Sequence, residues 1–148
     1  SGSMGYGFPA AVAASLECPD KTVVCFAGDG CFQMTLNEMS TARQYGAKPI
    51  VIVANNGFYG TIRMHQERHY PARVSGTNLF NPDYAALAKA YGGHGETVTR
   101  TADFAAAFQR AQNAGTVAII ELRLDSQALT PGASLDTIRT QAIQSQSS

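Results

Sequence analysis

Two short clusters of oxygen-bearing, turn-forming residues offer the clearest chemistry in this chain. They are Gly28-Asp29-Gly30 and Asn55-Asn56, with 56 − 29 = 27 positions from Asp29 to Asn56. A carboxylate and a carboxamide flanked by glycines, which permit close backbone approach, suit a small hard cation such as Mg²⁺ that still needs oxygen from a substrate phosphate. The chemistry implied is diphosphate binding through a metal. Taken singly, Asp29 reads equally as a helix cap or turn carboxylate, and Asn55-Asn56 as a plain strand-ending turn. Their joint spacing is what favours a common site.

The elements that must position them flank each cluster. Thr22 to Ala27 and Ile50 to Ala54 are apolar, β-branched runs that predict strands buried on two faces. Between them, Thr35-Leu36-Asn37-Glu38 matches a capping box, opening a helix to about Tyr45 with Gly46 as its stop. The unit is β-α-β, its strands parallel, and both clusters fall at carboxyl ends, where open α/β sheets bind ligands.

At these residues the chain resembles the thiamine diphosphate-dependent enzymes, whose metal-diphosphate motif is GDG, about two dozen residues, then NN. The opening Gly2-Ser3-Met4-Gly5-Tyr6-Gly7-Phe8-Pro9-Ala10-Ala11 resembles the stretch before GDG in the decarboxylase and acetolactate synthase branch. Cys31 to Thr35 and Asn56 to Arg63 are most similar to acetolactate synthase-like members. The resemblance implies thiamine diphosphate and Mg²⁺ as cofactors. It places the metal on the Asp29 and Asn56 side chains and the Phe58 backbone carbonyl. It places the cofactor against Gly2, Ser3, Met4, Gly28, Asp29, Gly30, Cys31, Asn56, Phe58, Tyr59, Gly60 and Thr61. Met4 corresponds to the apolar prop of the bent cofactor, and the Gly2 carbonyl to the acceptor of its aminopyrimidine. The implied substrate is a 2-keto acid, and the implied assembly a homodimer or homotetramer. The catalytic glutamate belongs to a pyrimidine-binding domain of the same or a partner chain, so no catalytic residue is expected here and the segment alone is expected to be inactive.

Composition narrows the classes. At 148 residues and 45% hydrophobic, the chain has apolar material for one globular core. Eleven basic and eleven acidic residues cancel, which argues against nucleic acid or an anionic membrane as partner. No apolar stretch approaches bilayer length and no secretory pattern opens the chain, so a cytoplasmic location is the default. Cys18, Cys25 and Cys31 form no Cys-x-x-Cys pair and read as free buried thiols.

Further along, Asn81-Pro82-Asp83 reads as a cap, first-turn proline and acidic first turn before a helix to Tyr91, stopped by Gly92-Gly93. A short strand at Glu96–Thr99 follows, then an alanine-rich helix from Thr101 or Asp103 to Asn113, closed by Gly115. Thr116 to Leu124 is the last buried strand. Alternating signals predict an α/β, doubly wound, mostly parallel sheet with helices on both faces, the thiamine diphosphate-binding fold. Residues 1–125 are taken as the diphosphate-binding domain and 126–148 as a polar tail, disordered from Gln141. The abrupt start at Ser1–Met4 suggests one third of a larger enzyme, or one subunit of a split decarboxylase. A non-catalytic metal-diphosphate module is the alternative.

Other signals are weaker. Gly5 to Ala10 fits G-x-G-x-x-A, yet lacks the preceding strand and acidic ribose reader of a dinucleotide site. His65-Gln66-Glu67-Arg68-His69 puts two histidines on one helical face, but its glutamate is misplaced for a metalloprotease, so a solvated charged helix is expected. His94, next to glycines on both sides, reads as a turn residue.

Overall fold

A computed structural model describes residues 2–130 and 132–146. In chain order the elements are α1 (Gly7–Glu17), β1 (Val24–Gly28), α2 (Asp29–Gln33), a 3₁₀ turn (Leu36–Glu38), α3 (Met39–Tyr45), β2 (Ile50–Asn55), α4 (Gly60–His69) and α5 (Tyr84–Ala90). They continue with β3 (His94–Val98), a 3₁₀ turn (Thr101–Asp103), α6 (Phe104–Asn113), β4 (Ala118–Arg123), β5 (Ala128–Thr130), β6 (Ala133–Ser134) and α7 (Leu135–Gln146). These fall into two compact units, Ser1–Asn55 with Asn81–Arg123, and Asn56–Phe80 with Leu124–Ser148.

The first unit is the expected α/β sandwich. Its sheet runs β1-β2-β4-β3 with every pair parallel. On one face Cys25, Ala27, Val51, Val53 and Ile119 pack with Phe8, Val12, Met39, Tyr84 and Ala88 from α1, α3 and α5. On the other, Ile50, Val98, Ala118 and Ile120 pack with Ala107 and Ala111 of α6. Each fully buried Val or Ile contributes about 1.5–3 kcal/mol relative to exposure. The fit of α5 on the sheet depends on Gly95, where an added Cβ would lie 2.2 Å from the Ala85 carbonyl oxygen. A side chain there would push the helix off β3.

Local expectations needed correction in several places. β2 and the first four residues of β4 are buried on both faces, but β1 is not: Val24 and Phe26 are 44% and 71% exposed. β1 is an edge strand, and the cluster on the α6 face draws on β2, β3 and β4 instead. The capping box does not form, because the Thr35 hydroxyl donates to the Gly5 carbonyl at 3.0 Å and Glu38 accepts from Thr41 at 2.6 Å. That segment is a 3₁₀ turn before α3, which Gly46 closes in the left-handed conformation. Asp83, not Asn81, caps α5, accepting the Ala86 N–H at 2.8 Å. His94 opens β3 instead of turning, with Nε2 2.8 Å from Glu96 Oε1. The cysteines are free, but only Cys25 is buried; Cys18 and Cys31 are half-buried.

In the second unit, β5 and β6 pair antiparallel and α7 packs on α4. The tail expected to be disordered from Gln141 is helical to Gln146, while Ser147 and Ser148 lie outside the described residues. The missed signal was an ion pair distant in sequence: Arg139 of α7 donates through Nε and Nη2 to Glu67 of α4, at 2.8 and 2.5 Å. Glu67 is therefore buried, contrary to the solvated helix expected for its segment, although His65 and His69 are exposed. No helix among the described residues is long and apolar enough to cross a membrane.

Candidate functional site

Register brings two polar positions to one sheet edge. β1 and β2 pair with Gly28 opposite Ala54, so Asp29 and Asn55 each follow the matched pair at the carboxyl end. Gly28 is extended (φ −68°, ψ 156°) and Asp29 turns at once into α2. Asp29 is 3% exposed. Its Oδ1 accepts the Gly30 N–H at 2.9 Å, and its Oδ2 accepts from Asn81 Nδ2 at 2.7 Å. Neither donor carries a charge.

Behind Asp29 runs a chain of side-chain hydrogen bonds. Asn81 Nδ2 also donates to Asn55 Oδ1 at 2.8 Å, and Asn55 Nδ2 donates to Glu121 Oε1 at 2.6 Å. Glu121 is fully buried on β4, accepts the Thr97 hydroxyl at 3.0 Å, and pairs with Arg123 at 2.9 Å. Tyr84 donates to Asn81 Oδ1 at 3.1 Å. Burial first, and the nearby Asp29 charge second, push the Tyr84 phenol well above its ordinary range, so it remains a donor.

The opening segment is tied to the same turn. The Gly5 N–H lies 3.1 Å from Cys31 Sγ, and its carbonyl takes the Thr35 hydroxyl. Gly5 has φ +80°, and a Cβ there would sit 3.2 Å from Met34 Cβ, so a glycine is needed for this contact. Gly2, Ser3 and Met4 lead directly into this anchor, with Met4 42% exposed.

Asn56, Phe58, Tyr59, Gly60 and Thr61 belong to the second unit. Asn56 Oδ1 accepts the Phe58 N–H at 3.2 Å, Gly57 has φ +79°, and Phe58 bridges Asn78. The Tyr59 N–H donates to Thr77 O at 2.9 Å, and the Leu79 N–H to Gly57 O at 2.8 Å. Thr77 is 1% exposed, and its hydroxyl has no partner among the described residues. The two neighbouring asparagines thus do different work: Asn55 faces the network of the first unit and Asn56 shapes the turn that opens the second.

The family profile described as "Thiamine pyrophosphate enzyme, C-terminal TPP binding domain" matches residues 1–122. The chain belongs to that family. It is 46% identical over 93 residues to the acetolactate synthase large subunit of Haemophilus influenzae, covering 62% of this chain and 16% of that protein. It is 34% identical over 139 residues to the acetolactate synthase isozyme 2 large subunit of Escherichia coli, covering 90% and 25%. A thiamine diphosphate-dependent 4-hydroxybenzoylformate decarboxylase of Rhodococcus jostii RHA1 has the same fold, with TM-score 0.76 and 34% identity over 82% of this chain and 23% of that one. This TPP-binding domain therefore spans a quarter or less of these relatives.

The donors present fit a hard divalent ion. Asp29 supplies a carboxylate, and carboxamide oxygens are suitable companions. A Cβ at Gly28 would meet nothing within 4 Å, so the backbone beside Asp29 is open. Asn81 and Glu121 are the residues that sequence reasoning missed here, and Asn55, named in its cluster, turns out to work within the network and not with Asn56. Glu121 was detectable in principle, since a lone carboxylate in the buried run from Val117 to Leu122 requires partners.

Proposed function

We propose that this domain anchors thiamine diphosphate, through Mg²⁺ and backbone amides, in an acetolactate synthase-like carboligase or decarboxylase acting on a 2-keto acid. The observation that carries the reading is Asp29: a buried carboxylate at the carboxyl end of β1, contacted by the Gly30 N–H and the neutral Asn81 carboxamide. By family resemblance, Asn56 and the Phe58 carbonyl complete the protein's share of the metal shell. Gly2, Ser3, Met4, Cys31 and Tyr59-Gly60-Thr61 line the cofactor. When bound, thiamine diphosphate supplies a nucleophilic carbon and an electron sink for cleaving or forming the bond beside the keto group. The residues of this chain bind and orient it. The activating glutamate is assigned to a pyrimidine-binding domain of the same or a partner chain, in a homodimeric or homotetrameric enzyme of the cytoplasm, and this domain alone is inactive.

The test is calorimetric titration of thiamine diphosphate into the intact enzyme, with Mg²⁺ and then with chelator. Binding is expected to depend on the metal and to be lost in Asp29→Ala, by roughly a hundredfold or more. Unchanged affinity in Asp29→Ala would remove the metal assignment.

A further inference from the structure

The Asn81 side chain has two N–H donors and an oxygen with two lone pairs, and all four positions are used. Nδ2 donates to Asp29 Oδ2 at 2.7 Å and to Asn55 Oδ1 at 2.8 Å. Oδ1 accepts from Gln33 Nε2 at 2.5 Å and from the Tyr84 hydroxyl at 3.1 Å. Rotating the carboxamide by half a turn would set its oxygen against the acceptor-only Asp29 carboxylate and against Asn55 Oδ1, which the bond from Asn55 Nδ2 to Glu121 fixes. The group is therefore locked in one orientation. Its backbone is restrained too, because the following Pro82 disfavours helical geometry at Asn81.

We propose that Asn81 is a positioning residue for the metal: its locked carboxamide fixes the rotation of the Asp29 carboxylate, so that the oxygens are presented in a single orientation. This rests on the cofactor reading above. Being neutral, Asn81 orients Asp29 without the positive charge that would compete with a cation. Glu121 and Asn55 support it from behind, and Gln33 and Tyr84 from the side. Asn81 lies 81 − 29 = 52 residues from Asp29 and outside both motif clusters.

The experiment uses the intact enzyme with Mn²⁺ in place of Mg²⁺, following free Mn²⁺ by paramagnetic resonance at a fixed concentration of thiamine diphosphate. Asn81→Ala is expected to weaken Mn²⁺ binding about tenfold or more, as loss of a ligand's hydrogen-bonding partner does. Raising Mn²⁺ should restore cofactor retention. Gln33→Ala, which removes only one of the locking bonds, should shift the affinity in the same direction by a smaller factor. It decides the matter if Asn81→Ala does not fold. A purely structural role predicts a lower Tm with unchanged Mn²⁺ affinity, or a loss that excess Mn²⁺ does not restore; either result overturns the proposal. If the unmodified enzyme binds no Mn²⁺ with thiamine diphosphate, the cofactor reading itself fails and this inference with it. Normal binding in the unmodified enzyme and in both variants overturns the positioning role alone.

Discussion

Asp29 and Glu67, one in each unit, are both withdrawn from solvent, at 3% and 0% exposure, yet their partners differ in kind. Asp29 receives a backbone N–H and a carboxamide. Glu67 receives the guanidinium groups of Arg139 and Arg63, together with the Ala72 N–H. Arg139 above all holds the Glu67 carboxyl down at about 2. A carboxylate already paired with two cations is neutralised, and its work is to join α7 to α4. The Gly30 N–H and the Asn81 carboxamide, by contrast, bring no charge to Asp29. The partners of a buried carboxylate thus separate a fastening from a candidate site better than its burial does.

The contrast can be broken most sharply at Arg139. Arg139→Ala leaves buried Glu67 with only Arg63 and the Ala72 N–H among the described partners and should cost about 3 kcal/mol in urea unfolding, while leaving metal affinity intact if α7 is only fastened there. The same pair predicts an acid response. The Glu67 carboxyl is lowered from 4.5 to about 2 on folding, so its stabilisation is full above pH 4.5 and is lost as pH falls toward 2. That loss amounts to roughly 3 kcal/mol by linkage. Denaturant titrations between these limits should show it, and Arg139→Ala should flatten the profile.

Glu121→Ala probes the other side of the comparison. It orphans Asn55 Nδ2 and the Thr97 hydroxyl, with an expected cost of about 2 kcal/mol. Unlike Arg139→Ala, it should also weaken metal binding, because Asn55 is a partner of Asn81. Equal metal affinity in both variants would erase the distinction between the fastening at Glu67 and the site at Asp29. The smallest effect is expected at Thr77, whose buried hydroxyl has no partner among the described residues. Thr77→Val should be neutral or stabilising by up to about 1 kcal/mol, and a clear destabilisation would reveal a partner for that hydroxyl.

The fold class was legible because its signals are local and repeated. Apolar runs alternate with helical segments, and glycines stop α3, α5 and α6 near where the pattern placed them. Other features were legible only in part. The exposed face of β1 carries the same residue types as a doubly buried strand, since composition records burial potential and not which neighbours arrive. Asn81 and Asp83 both suit a helix start, and position relative to Asp29, not residue type, assigned one to the network and the other to the cap.

By itself, the sequence determined the alternation of strands and helices, the parallel sheet, the family, and the placing of Asp29 at a strand's carboxyl end, since each follows from short-range pattern or motif spacing. Only the tertiary structure decided which groups Asp29 and Glu67 would meet. Asn81 reaches Asp29 across 52 positions and Arg139 reaches Glu67 across 72, and a hydrogen bond of 2.7 or 2.8 Å is set by the folded backbone, which no window of neighbouring residues contains.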